Sequence, residues 1–207
     1  MCSDIVLYIW VQYIESYKVY SYKDNKMYIT IPLYEKEMTV MRDEKLKLMV
    51  RYALLIALKT VMTMVVHIPT PATKGYLNLG DMVVFVAAIM LGKKGGLVVG
   101  GIGSALADLL LGYTYFAPIT FIVKGLEGFI AGALLETNIG QKVPMIPVAI
   151  GGIWMALGYY IAEIFMYGGE AALVEVPGNL VQGLLGAVTA TILSTALKKT
   201  GVLNHNN

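Results

Sequence analysis

From Leu46 onward, apolar runs follow one another in quick succession, separated by short segments rich in Gly, Pro and Lys. Six runs predict six helices. The first, 46–66, opens among Lys45, Lys47 and Arg51 and ends where Pro69 and Pro71 cannot continue a helix. The second, 79–91, stops at Gly92-Lys93-Lys94-Gly95 and is short enough to be tilted or only partly inserted in a bilayer. The third covers 96–111 and the fourth 118–135, with 112–117 as the turn between them; the fifth covers 144–167 and the sixth 173–197. Inside lipid the backbone must satisfy its own hydrogen bonds, and these runs lack the alternation of barrel strands. The expected fold is therefore an all-α membrane protein, a six-transmembrane-helix bundle.

Residues 1–40 break the pattern. They hold seven of the fourteen tyrosines, mixed with Lys, Asp and Glu, and no sustained apolar run. The stretch 5–11 is too short to cross a hydrocarbon core that needs roughly 20 helical residues. It also lacks the basic flank and small-residue cleavage site of a signal peptide. Two parts are expected: an extension over 1–40, lying upstream of the true start if Met38 or Met41 begins the native protein, and a membrane-embedded substrate-binding domain over 41–207.

Composition agrees with lipid as the main solvent: 57% of residues are hydrophobic and 14% charged, where a soluble domain carries roughly 25% charged residues. A formal charge of +2 from scattered basic residues argues against a nucleic-acid groove. Cys2 stands alone, so one chain can build neither a disulfide framework nor a thiolate metal site. His67 and His205 are too far apart in sequence to suggest a histidine metal site. Enzyme motifs are missing: no paired helix-borne histidines with glutamate, no Walker-type loop and no nucleophile elbow. Gly101-Ile102-Gly103 lacks the third glycine and the strand of a dinucleotide site. No catalytic residue, cofactor or metal is expected.

Basic residues near helix ends set orientation, because cytoplasmic loops retain Lys and Arg. One side receives Arg42, Lys45, Lys47, Arg51, Lys93, Lys94, Lys142, Lys198 and Lys199; the other receives Lys74 beside acidic Glu170 and Glu175. With six crossings, both termini are expected in the cytoplasm and the chain in the cell membrane as a multi-pass protein.

Small residues carry the expected packing. Gly92, Gly96, Gly100, Ser104, Asp108 and Gly112 recur at every fourth position, and Gly128 and Gly132 repeat the spacing on the next helix, so these two helices are expected to touch. Ala53 and Ala57 form a smaller version of the pattern on the first helix.

A charge in hydrocarbon costs several kcal/mol, so intramembrane ionisable groups normally face a cavity or a partner. Lys124 and Glu127 are three apart on one helix face and close enough to pair. Glu163 follows Tyr159 and Tyr160 by about one turn, and Asn179 and Gln182 lie three apart near the start of the sixth helix. The derived orientation puts all of them in the outer half, a polar chamber sealed inward by apolar packing. Such a chamber suits capture of a solute. The alternative is that Lys124 and Glu127 only neutralise each other while Glu163, Asn179 and Gln182 are wetted at the surface. The long connection 67–81 could form a lid; Asp81 is expected to cap the second helix, and Asn78 either caps or touches ligand.

At His67-Ile68-Pro69-Thr70-Pro71, Gly75-Tyr76-Leu77-Asn78-Leu79-Gly80-Asp81, the stretch from Gly100 to Asp108, and Lys124-Gly125-Leu126-Glu127-Gly128, the chain from Lys47 to its end resembles the substrate-binding S component of energy-coupling factor (ECF) transporters, particularly the riboflavin-type group. The resemblance implies six helices and capture of a vitamin or precursor from outside, with ligands assigned to relatives including riboflavin, pyridoxine-like compounds and hydroxymethylpyrimidine. It also implies partnership with a transmembrane T component and two cytoplasmic ATPase subunits. It places a ligand pocket at Asn78, Lys124, Glu127, Tyr159, Glu163, Asn179 and Gln182, and docking of the T component at Ala53 and Ala57. Two other readings compete: a self-sufficient transporter coupled to protons through Glu127 or Glu163, and a small intramembrane enzyme or assembly factor.

Overall fold

Helix-forming apolar runs dominate the structure, a computed structural model that describes residues 19–23, 26–30 and 33–199, with side-chain surroundings over 43–196. Cys2 and His205 lie outside the described residues, as does most of the expected extension. The chain divides into two units, Met1–Val50 and Arg51–Asn207. In the first, strands β1 (Val19–Lys23) and β2 (Lys26–Thr30) pair antiparallel, with Val19 opposite Thr30 and Lys23 opposite Lys26. Helix α1 (Leu33–Val65) begins in that unit and ends in the second.

The second unit continues with a short hairpin, β3 (His67–Thr70) and β4 (Gly75–Asn78), in which His67 faces Asn78 and Thr70 faces Gly75. Then come α2 (Asp81–Leu111), α3 (Ala117–Leu135), the single turn α4 (Asn138–Lys142), α5 (Met145–Tyr167) and α6 (Gly169–Lys199). Five of the described helices are long and apolar enough to cross a membrane: α1 over Asp43–Val65, α2, α3, α5, and α6 over Gly169–Ala196. Large apolar side chains such as Phe165, Leu110 and Ile192 stay exposed on their outer faces, as a lipid-facing bundle requires.

The runs at 79–91 and 96–111 emerge as one continuous helical element with a break at Gly92, whose φ of 70° and ψ of −166° are not helical. A straight helix would put Val84 and Gly100 about 24 Å apart, sixteen residues at about 1.5 Å each. Instead a Cβ on Gly100 would lie 3.1 Å from Val84 Cγ1, so the chain reverses at Gly92 and its two arms pack side by side. A left-handed φ is one that glycine reaches without a Cβ clash, which explains why the reversal falls there. The arm from Asp81 to Leu91 spans only about 16 Å. The β3–β4 hairpin precedes it, and Gly75 and Asn78 of that hairpin are buried within the end of the bundle.

Close helix approach depends on missing side chains. Cβ atoms built on Gly96 and Gly128 would each fall 2.2 Å from the other residue's carbonyl oxygen, so the second arm of α2 and helix α3 meet backbone to backbone. The contact anticipated from the glycine spacing is present. Two apolar clusters complete the core: Phe85, Val86 and Ala88 with Ala131, Val148, Ala187 and Ala190, and Val83, Ala87 and Val99 against Tyr52, Leu55, Ile56 and Met62 of α1. One end of the bundle gathers the β-hairpin, the α2–α3 turn and the α5–α6 turn, joined by Tyr76 with Asp108 and by Thr73 with Glu175. The other end gathers Gly92 and the start of α4, joined by Lys93 with Glu136.

Candidate functional site

Toward the hairpin end lies a partly open cavity, walled by side chains from α1, the β-hairpin, α2, α3, α5 and α6. Its floor is ionic. Lys124 on α3 is fully buried and pairs with Asp81 at the start of α2, and with Glu127 one turn along its own helix at 3.1 Å. Lys59, from the middle of α1, is equally buried and donates to Thr63 Oγ1 at 2.8 Å. Two lysines and two carboxylates thus sit together where lipid and apolar packing surround them, each charge tolerated because the other sign is at hand.

A hydrogen-bond chain ties this floor to five elements. Asp81 Oδ2 accepts from Gln182 Nε2 at 2.8 Å, and Gln182 Oε1 accepts the Asn78 backbone N–H at 2.7 Å. Asn78 Oδ1 accepts from the Gly80 amide at 2.8 Å and from Thr63 at 3.5 Å. The hairpin is therefore bonded through one amide side chain to α6 and through another to α1. On the wall above, Tyr159 donates to Thr120 at 3.0 Å and presents its ring 5.8 Å from the Lys124 ammonium. Tyr76 donates to Asp108 and packs its ring against Tyr113. Burial, and then the Asp108 carboxylate, push the Tyr76 hydroxyl well above its ordinary range, which keeps it a donor.

Asn78, Lys124, Tyr159, Glu163, Asn179 and Gln182 all border the cavity. Glu127 stands behind Lys124 as its ion-pair partner, off the wall itself. Ala53 and Ala57 lie elsewhere, on an exposed face of α1 that also carries Leu54, Leu58 and Val61. One sequence expectation is corrected: Asp81 does not cap α2. The capping position is Gly80 with no side-chain bond, and the Asp81 carboxylate is taken by Lys124 and Gln182. The buried positive charge of Lys124 outcompetes peptide amides that the helix end could satisfy otherwise.

Lys59, Asp108, Thr120 and Glu175 are among the wall residues that the sequence did not mark as cavity groups. Lys59 could have been found, because a lysine in the middle of an apolar span is the signal that marked Lys124. In sequence Asp108 reads as a rung of the small-residue ladder and Glu175 as an acidic charge on the outer side, near the start of the sixth helix.

Such a bundle, apolar outside and polar around one interior cavity, defines a helical membrane protein built to hold a polar solute. Residues 44–199 match the family model for the ECF-type riboflavin transporter, S component, and the chain belongs to that family. Among similar proteins, the uncharacterized protein in gap 3'region of Pyrococcus woesei is 40% identical over 142 residues, covering 68% of this chain and 94% of its own length. The thiamine precursor transporter HmpT of Lactococcus lactis subsp. cremoris (strain MG1363) is 28% identical over 168 residues, covering 81% of this chain and 97% of its own. The chain is thus a multi-pass plasma-membrane protein of a transporter-subunit family, one of S components and not of enzymes.

Proposed function

We propose that this chain is the substrate-specific subunit of an ECF-type importer, binding a vitamin or vitamin precursor from outside the cell for uptake driven by a T component and two ATPase subunits. The observation that carries the reading is the cavity, where charged and amide side chains from separate helices meet inside an otherwise apolar bundle. Riboflavin, a pyridoxine-like compound or a hydroxymethylpyrimidine-like compound are the ligands in view; the lactococcal relative's name favours a thiamine precursor. In this reading the two arms of α2 cross separately, giving six crossings with both termini in the cytoplasm and the cavity opening outward. Lys93 and Lys94 beside the Gly92 reversal then lie on the cytoplasmic side, as the distribution of basic residues favours. Residues 1–40 stand outside this role.

Mass spectrometry of small molecules carried through purification in detergent tests the function directly; recovery of no organic ligand, together with no binding of any of the three candidates, would reject it. Within the site, Lys124→Ala and Glu127→Ala are each expected to weaken binding by about 1–3 kcal/mol, roughly 5- to 150-fold in Kd, through loss of a buried charged hydrogen bond. Titration calorimetry reads the change, and wild-type affinity in both variants removes the pair from the site.

Docking of the T component is assigned to the exposed α1 face at Ala53 and Ala57, where small side chains let another helix approach closely. Ala53→Trp and Ala57→Trp are expected to bind ligand with unchanged affinity and to abolish uptake by the reconstituted transporter. Normal uptake by both would place the partner elsewhere.

A further inference from the structure

The cavity has two electrically different poles. Behind its floor Asp81 and Glu127 both contact Lys124, with Lys59 beside them, while the wall carboxylate Asp108 is held by the Tyr76 hydroxyl. At the opposite pole Glu163 of α5 and Glu175 of α6 line the same cavity. Seven residues of α6 separate Glu175 from Gln182, so the poles stand about 10 Å apart along that helix. Among the described residues neither glutamate has a lysine, arginine or histidine within ion-pair distance. Both are buried, at 4% and 6% exposure. Glu175 accepts a bond from Thr73 Oγ1 at 3.0 Å, while Glu163 Oε2 is buried with no hydrogen-bond partner among the described residues.

Two buried carboxylates lining one cavity without a basic partner lose hydration and repel each other when ionised, and a cation between them relieves both costs. The surroundings fit an organic cation with a flat ring. Tyr167, one turn beyond Glu163, stacks with Phe116 at 6.2 Å between centroids, and Phe116 lines the cavity. Aromatic faces attract a positive nitrogen and take a planar ring side-on.

We infer that Glu163 and Glu175 form a subsite for a positively charged nitrogen of the ligand, an amine or a protonated ring nitrogen on a heteroaromatic base. The inference rests on the binding-subunit reading above and narrows it: the solute is cationic at the end held by the glutamates, and it offers acceptors to Lys59, Lys124 and Asn78 at the other. Glu163 and Glu175 are then specificity residues, deciding among ring systems of similar size by charge.

Purified full-length protein in detergent, stripped of co-purified ligand, tests this with a matched probe pair: pyridoxamine, which carries an aminomethyl cation, and pyridoxine, which carries a hydroxymethyl group in its place. Riboflavin and hydroxymethylpyrimidine, which bears an exocyclic amino group, are run alongside. The expected result is that wild type prefers pyridoxamine over pyridoxine by at least about tenfold in Kd, and that Glu163→Gln and Glu175→Gln erase this ratio, weakening pyridoxamine far more than pyridoxine. Glutamine keeps the shape of each side chain, and unchanged melting temperatures confirm folding. Tight binding of riboflavin or pyridoxine, undisturbed by either substitution, would overturn the cation subsite and leave the binding-subunit reading standing. No binding of any of the four, with no organic molecule co-purified, would remove both. Stabilisation by sodium, potassium or calcium chloride alone, lost in the glutamine variants, would assign the pair to an inorganic ion and overturn the inference.

Discussion

Asp81→Ala is expected to destabilise the protein more than any other single change at the cavity floor, by about 3–5 kcal/mol, because it leaves the buried Lys59 and Lys124 with Glu127 as the remaining floor carboxylate. Asp81 is the acceptor for Lys124 and for Gln182, and through Gln182 it holds the Asn78 amide of the β-hairpin. Removing the carboxylate therefore unties α2, α3, α6 and the hairpin at one point. The measurement is thermal unfolding of the detergent-solubilised protein, read with the fraction that stays monodisperse. Asp81→Asn keeps the size and part of the hydrogen bonding but leaves Lys124 with Glu127 as its carboxylate, and should fall between wild type and Asp81→Ala. A melting temperature of Asp81→Asn equal to that of wild type would show that the carboxylate's charge is not what holds the floor together.

The second large effect is expected at the contact between α2 and α3. Gly96→Leu places a side chain where a single Cβ would already lie 2.2 Å from the Gly128 carbonyl oxygen, and the same holds in reverse for Gly128→Leu. The opposing atoms are backbone, so the helices must separate, and the cavity residue Lys124 moves with α3. Overpacking costs typically about 1–3 kcal/mol where side chains can adjust, and more is expected here because they cannot. Both variants should lower the melting temperature and the ligand affinity together, with Gly96→Ala intermediate. Gly169→Ala is the control, since nothing lies within 4 Å of its added carbon, and it should leave both quantities unchanged. Wild-type melting behaviour in Gly96→Leu would refute the backbone-to-backbone contact.

These two expectations differ in how far the sequence anticipates them. The glycine contact was legible, because small residues at every fourth position can be read directly as a helix face that admits a neighbour. The role of Asp81 was not. Beside Asn78 and at the start of an apolar run it has the local pattern of a helix cap, and only the position of Lys124, 43 residues away, redirects its carboxylate. Lys124 and Glu127 were paired correctly from their spacing, and that pair was incomplete without Asp81. Lys59 passed unnoticed in a long apolar helix, although its charge alone gave the warning.

Periodicity and length by themselves determined that this chain builds membrane-crossing helices, roughly where each begins and ends, and which small residues let two of them touch. These are properties of a segment and of the solvent around it, and lipid leaves a helix few alternatives. The tertiary structure decided which charges share a cavity and that the hairpin is buried in the end of the bundle. Those outcomes depend on partners distant in sequence, and the preference of a buried charge for its counter-ion is invisible until the fold brings the two together.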